Sequence, residues 1–198
     1  MSTAASRPRS ETRFAVVVMG VSGCGKTTFG RALAQARGAP FFDGDEFHSP
    51  EAVAKMSAGI ALSDADRGPW LDRIGARLAD AAAHPQGAVV ACSALRRAYR
   101  DRLRALVGPD LRFVYLEGDK SLMFRRVAER RGHYMPASLV DSQFAALEPP
   151  AGEDDVVTLA ADASLAQAVP EALRRLAAID EKRAPKGRDS PPHSLHPP

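Results

Sequence analysis

The chain holds only two cysteines in 198 residues, Cys24 and Cys92. So sparse a supply excludes a disulfide framework and points to a reducing compartment, hence a cytoplasmic protein. No apolar run approaches the ~18 residues of a membrane span, and the polar, Arg-bearing beginning lacks the hydrophobic region of a secretory signal. No internal repeat of ~20 to 50 residues is present. A charge excess in the body is missing too. The formal net charge is +3, yet Arg7, Arg9 and Arg13 oppose only Glu11 in residues 1–13. In residues 181–198, Lys182, Arg183, Lys186 and Arg188 oppose Glu181 and Asp189. Each end is therefore +2, leaving −1 for the middle. That removes the basic track a nucleic-acid partner needs.

With 45% hydrophobic residues, the chain can bury one sizeable core, and its length fits one domain. Residues 14–180 read as that domain, preceded by a flexible arm over 1–13. Residues 181–198, with five prolines and few large apolar groups, read as a disordered basic tail. Short apolar runs at 14–19, 40–42, 87–95, 111–119 and 155–160 alternate with helical patterns at 26–37, 50–58, 66–83, 96–107, 120–131, 137–147 and 164–179. Ser49 before Pro50, Ser63 three residues before Asp66, and Asp119 before an apolar-periodic run supply helix starts. Such alternation predicts an α/β fold of three layers, a five-stranded parallel sheet covered by helices on both faces. Ligands of such sheets lie outside the carboxyl ends of the strands, which selects the segments beginning at Gly20, Asp43, Cys92 and Glu117.

The first of these reads GVSGCGKT, a complete G-x-x-x-x-G-K-S/T loop between a strand and a helix. Gly20, Val21, Ser22, Gly23, Cys24 and Gly25 can wrap phosphates with backbone N–H groups, continued by Thr28 on the helix. Lys26 can reach the β/γ oxygens and the Thr27 hydroxyl can ligate Mg²⁺, so the loop implies ATP with Mg²⁺. The second segment reads DGDEFH. Asp43 and Asp45 can divide labour, one holding Mg²⁺ and the other accepting a proton from an attacking hydroxyl, although Asp-Gly is also ordinary turn chemistry. The third strand ends in Ser93 without the acidic residue of motor and switch NTPases, which favours a small-molecule kinase.

The stretch from Asp43 to Leu71 resembles the gluconokinase family. Its DGD-x-x-H start is Asp43-Gly44-Asp45 with His48, its Lys-Met pair is Lys55-Met56, and its D-x-D-R-x-P-W-L close runs from Asp64 to Leu71. The likeness continues in CSALRRAYRDRLR, FVYLEGD and RRGHYMPASLVDSQFAALEPP, and spans residues 14–179. It implies ATP-dependent phosphorylation of D-gluconate to 6-phospho-D-gluconate, the fold of nucleoside monophosphate and shikimate kinases with a helical substrate-capping segment and a mobile lid, and a homodimer. The family pattern is broken at Ser49, Ala52, Ala61 and Ser63, which touches fine specificity or a helix cap more than reaction type.

Gluconate is an anionic polyol, so its recognition needs cations for the carboxylate and polar groups for the hydroxyls. His48, Lys55 and Arg67 are suited to this in the capping segment. Each has a plainer alternative: a turn cap for His48, a solvated helix face for Lys55, an ion pair with Asp64 for Arg67. Asp64 and Asp66 read as helix-start residues and Trp70 as a core anchor. Tyr99 and Arg100 follow the third strand and approach the substrate in this reading, with a surface helix as their plainer alternative. Arg126 is placed to stack on adenine. Arg130 and His133 fall where a lid would carry them over the transferring phosphoryl and the acceptor. Among rivals, shikimate kinase lacks its glycine triplet here, replaced by Cys92-Ser93-Ala94-Leu95, and adenylylsulfate kinase shares only the loop and a DGD segment. A non-catalytic nucleotide-binding module would bind ATP without gluconate-dependent ADP release.

Overall fold

The computed structural model describes residues 14–129 and 138–183. Five strands, β1 (Ala15–Met19), β2 (Phe41–Asp43), β3 (Ala88–Ala91), β4 (Leu111–Glu117) and β5 (Val156–Ala160), pair in parallel in the order β2-β3-β1-β4-β5. Their apolar runs are near-continuous because both faces are covered. Val16, Val18, Val89, Val114 and Leu116 point to one face, against Phe29, Leu33, Ala172 and Leu176. Ala15, Val17, Met19, Val90 and Phe113 point to the other, against Trp70, Leu71, Ile74 and Leu103. The predicted three-layer α/β architecture with a five-stranded parallel sheet is the one observed.

Seven helices follow the predicted segments: α1 (Lys26–Arg37), α2 (Pro50–Ser57), α3 (Asp64–Ala82), α4 (Arg97–Val107), α5 (Lys120–Ala128), α6 (Ser138–Ala146) and α7 (Leu165–Arg183). Ser49 caps α2 through Ala52 N, with Pro50 in its first turn, and Asp119 caps α5 through Leu122 N. Helix α3 begins two residues before the expected Asp66. Ser63 accepts from Asp66 N while Asp66 accepts from Ser63 N, a reciprocal capping box that makes Ser63 the cap. Ser63 therefore does cap the helix, so this departure from the family pattern leaves the helix start intact. Helix α7 continues through Arg183, past the expected boundary at 180, and Arg183 Nη1 donates to Pro109 O at 3.3 Å. The lid residues Arg130 and His133, the N-terminal arm and the rest of the tail lie outside the described residues.

All five strands end on one side, so the phosphate loop after β1, the acidic turn after β2, the start of α4 after β3 and α5 after β4 share one rim.

Candidate active site

The phosphate loop closes on the N-terminus of α1. Gly20, Gly23 and Gly25 all have positive φ, and Gly25 caps the helix in the left-handed region at φ 96° with no side-chain bond of its own. A side chain there would be strained, and the helix start keeps its N–H groups and positive dipole end for an anion. Lys26 Nζ reaches across the loop to Val21 O at 3.1 Å. Gly20 N donates to Ser93 O at 3.3 Å, and Ser22 N donates to Gln143 Oε1 at 2.5 Å, so the loop is braced from β3 and from α6. Beside it opens a cleft of about 430 Å³, with Gly25, Thr28, Arg126, Ala161 and Leu165 among its walls. Arg126 Nη1 donates to Ala161 O at 3.0 Å, which holds the guanidinium at the cleft margin.

Opposite the loop, Asp43 ends β2 and caps a 3-10 turn over Gly44–Phe47. Both of its carboxylate oxygens are engaged: Oδ2 accepts from Thr27 Oγ1 at 3.0 Å and Oδ1 from Asp45 N at 3.2 Å. The turn lies hard against β3, because a Cβ on Gly44 would sit 2.3 Å from Ala91 O. Only glycine permits that approach. Trp70 Nε1 donates to Gly44 O at 2.7 Å, anchoring the turn from α3. Asp45 is exposed on the rim.

His48 stacks on Trp70, with ring centroids 4.5 Å apart and planes 8° off parallel. Burial is the main force pushing its pKa below 6.5; Asp45 opposes this, and Arg73 and Arg67 add to it. The imidazole is therefore neutral at pH 7. Its Nδ1 is buried and has no hydrogen-bond partner among the described residues. A neutral ring suits a hydroxyl better than a carboxylate.

The starts of α3 and α4 meet at a charged cluster. Tyr99 OH donates to Asp64 Oδ1 at 2.5 Å and accepts from Arg67 Nη1 at 3.3 Å. Arg96 Nη1 donates to both oxygens of Asp64, at 3.1 and 2.9 Å, and Arg67 lies 4.0 Å from the same carboxylate. Each guanidinium carbon stands 5.8 Å from the Tyr99 ring centroid. The Tyr99 hydroxyl, then Arg96 and Arg67, hold Asp64 below the usual carboxylate range. Asp64 opens α3, as expected, but its carboxylate is committed to α4 while Asp66 does the capping.

A family model described as an AAA domain matches residues 16–150. The gluconokinase of Gluconobacter oxydans is 42% identical over 167 residues, covering 83% of this chain and 92% of that protein. A solved gluconokinase structure from Sinorhizobium meliloti has 46% sequence identity and a TM-score of 0.78, covering 87% of this chain and 96% of its own. The chain belongs to the gluconokinase family. The APS kinase of Mycobacterium tuberculosis, at 20% identity and a TM-score of 0.58 over 83% of this chain and 98% of its own, shares the fold alone.

In this gluconokinase-family chain two predicted acceptor contacts turn out differently. Arg100 is wholly buried. Its Nε and Nη2 donate to Glu153, Nη2 also to Glu148 O, and Nη1 to Ala94 O and Leu95 O at 3.1 Å each. A guanidinium so committed has no donor for a substrate, and Arg100 is corrected to a structural residue. It holds the β3–α4 connection, where Ala94 takes the left-handed φ of 41°, against the segment after α6. Arg100→Met should destabilise the fold by about 3 kcal/mol, the low end for a broken buried ion pair because Arg104 still bonds Glu153. Urea unfolding monitored by circular dichroism checks this; an unchanged midpoint would refute it.

Lys55 gives its ammonium to Asp66 Oδ1 at 2.7 Å, bracing α2 against the start of α3 rather than standing free for an acceptor. Trp70 is the expected core anchor, 3% exposed, with an added task in fixing the acidic turn. Sequence reasoning missed Arg96, Arg73 and Gln143. Arg73 Nε donates to Phe47 O at 2.7 Å, tying α3 to the end of the 3-10 turn. The only signal for Arg96 was its place directly after β3, on the ligand rim.

The gluconokinase-family site also suits Mg²⁺. Among the described residues no three His, Cys, Asp or Glu side chains gather into a metal cage. Thr27 Oγ1 and Asp43 Oδ2 instead offer two adjacent hard oxygens, the sparse protein set that Mg²⁺ uses when phosphates and water complete its shell.

Proposed function

We propose that this chain phosphorylates D-gluconate at its primary hydroxyl, using ATP and giving 6-phospho-D-gluconate and ADP. The observation that carries the reading is the coupling of the two half-sites: the donor-loop Thr27 bonds Asp43, and Asp43 positions Asp45 on the acceptor side. The likeness to gluconokinases names the acceptor. Adenine fits the cleft by Arg126, and the phosphates fit the loop at the start of α1. Mg²⁺, held by Thr27 and Asp43, would neutralise charge on the β/γ oxygens. Lys26 stabilises charge on the transferring group.

Asp43 has both oxygens engaged, which leaves Asp45 as the base. The gluconate hydroxyl oxygen forms the new bond to the γ-phosphorus as the bond to the ADP oxygen breaks, and Asp45 takes the hydroxyl proton. His48 and Arg67 orient the sugar acid. Positioning and electrostatics supply most of the acceleration, since a loose phosphoryl transition state needs little covalent help. Arg130, for the transferring phosphoryl, and His133, for the acceptor, belong to this reading as lid groups from outside the described residues.

A cytoplasmic location agrees with two free, buried cysteines, of which Cys92 has its pKa pushed up to about 12 by burial. A homodimer follows from the family resemblance and is measurable by sedimentation. The deciding assay is coupled ADP release with gluconate, shikimate, adenylylsulfate and nucleoside monophosphates, with the product identified by mass. Acceleration by gluconate alone is expected. Acceleration only by another acceptor would replace the substrate, and ATP binding without any acceptor-dependent release would favour a regulatory module.

A further inference from the structure

We propose that Arg96, together with Arg67 and Tyr99, forms the seat for the acceptor's carboxylate, and that Asp64 holds this seat until the sugar acid displaces it. The inference rests on the gluconate reading above. Its ground is the geometry where α3 and α4 begin. Two guanidinium groups and one phenol converge on a single carboxylate, that of Asp64. Two arginines and one aspartate leave a net charge of +1, which one further carboxylate would neutralise. Arg96 Nη1 contacts both Asp64 oxygens and the Tyr99 hydroxyl donates a hydrogen bond to one, a pattern any carboxylate of the same size can satisfy.

Asp64 is easily displaced. Its side chain is 64% exposed, so once it leaves the arginines it returns to water rather than to a buried, unpaired state. Arg67 and Arg96 are less exposed, at 30% and 40%, and the Tyr99 residue is 9% exposed, so the recognising side is more fixed than the carboxylate it holds. The capping of α3 does not depend on Asp64, because Ser63 and Asp66 form the capping box between themselves. Arg67 is also near enough to His48 to lower its pKa, which connects the seat with the imidazole over Trp70. A sugar acid with its carboxylate at Arg96 and Arg67 would extend its polyol past His48 towards Asp45. The seat thus selects acids, and the acidic turn acts on the far hydroxyl.

The test uses two variants that break the same ion pair from opposite sides. Arg96→Met should raise the KM for gluconate about tenfold, with kcat and the KM for ATP near their original values. Arg96→Lys, which keeps the charge on a shorter, compact ammonium, should fall between. Asp64→Asn keeps an acceptor for Tyr99 but removes the competing charge, and should lower the KM for gluconate about two- to fivefold. A merely structural ion pair would move both variants in the same direction, with ATP affinity or thermal stability moving too; that result, or an unchanged KM in Arg96→Met, overturns the proposal. Absence of gluconate-dependent ADP release in the unaltered protein would instead be the failure of the gluconate reading itself.

Discussion

Lys26→Ala should keep the folded sheet and lose turnover by about 10³-fold or more. The side chain is half-buried at the loop, and its one recorded bond runs to Val21 O within that loop, so no core contact is lost. Alanine also suits the first turn of α1. What disappears is the only cation that the motif places at the β/γ oxygens, where charge gathers as the phosphoryl leaves. The variant should show an unchanged circular dichroism spectrum and melting midpoint beside almost no gluconate-dependent ADP release. Near-normal release would remove the loop from the chemistry.

Asp45→Asn is the second large effect, a fall of about 10²- to 10⁴-fold in kcat. The two aspartates of the acidic turn are not equivalent. Asp43 is bound on one oxygen by Thr27 and on the other by the backbone of Asp45, so it organises. Asp45 stands exposed at the rim, and its side chain is close enough to His48 to act on that ring's titration. Asparagine keeps the size and the turn while removing the proposed proton acceptor. The KM for gluconate should change little, so that the loss falls on kcat. A kcat within about threefold of the original would transfer the base role to Asp43 or dispense with a base.

Much of the frame was legible because it is written in local signals. Gly25 followed by Lys26 and Thr27, Ser49 before Pro50, and Asp119 before Leu122 each declare a helix start within four residues, and the inner strands β1, β3 and β4 are apolar runs buried on both sides. The start of α3 was signalled but placed two residues late: Ser63 with Asp66 is a capping box, which makes Asp64 the first helical residue rather than the expected Asp66. Arg100 was not legible. A helix start after β3 faces the ligand rim on one side and the core on the other, and which side takes Arg100 depends on Glu148 and Glu153, about fifty residues later in the chain. The same limit hid Arg96. Its partner Asp64 lies 32 residues before it, and only the packing of α3 on α4 brings them together. Charged residues identify a surface by sequence but find their partners by topology.

Trp70 is the only tryptophan in the chain. It stacks on His48, and its indole N–H is bound to the acidic turn, while the cleft proposed for adenine is walled by other residues. The protein therefore carries its own fluorophore at the proposed acceptor end. If the sugar acid seats there as proposed, the emission of that single indole should report it, so the order in which the two substrates bind can be followed by stopped flow on unlabelled protein.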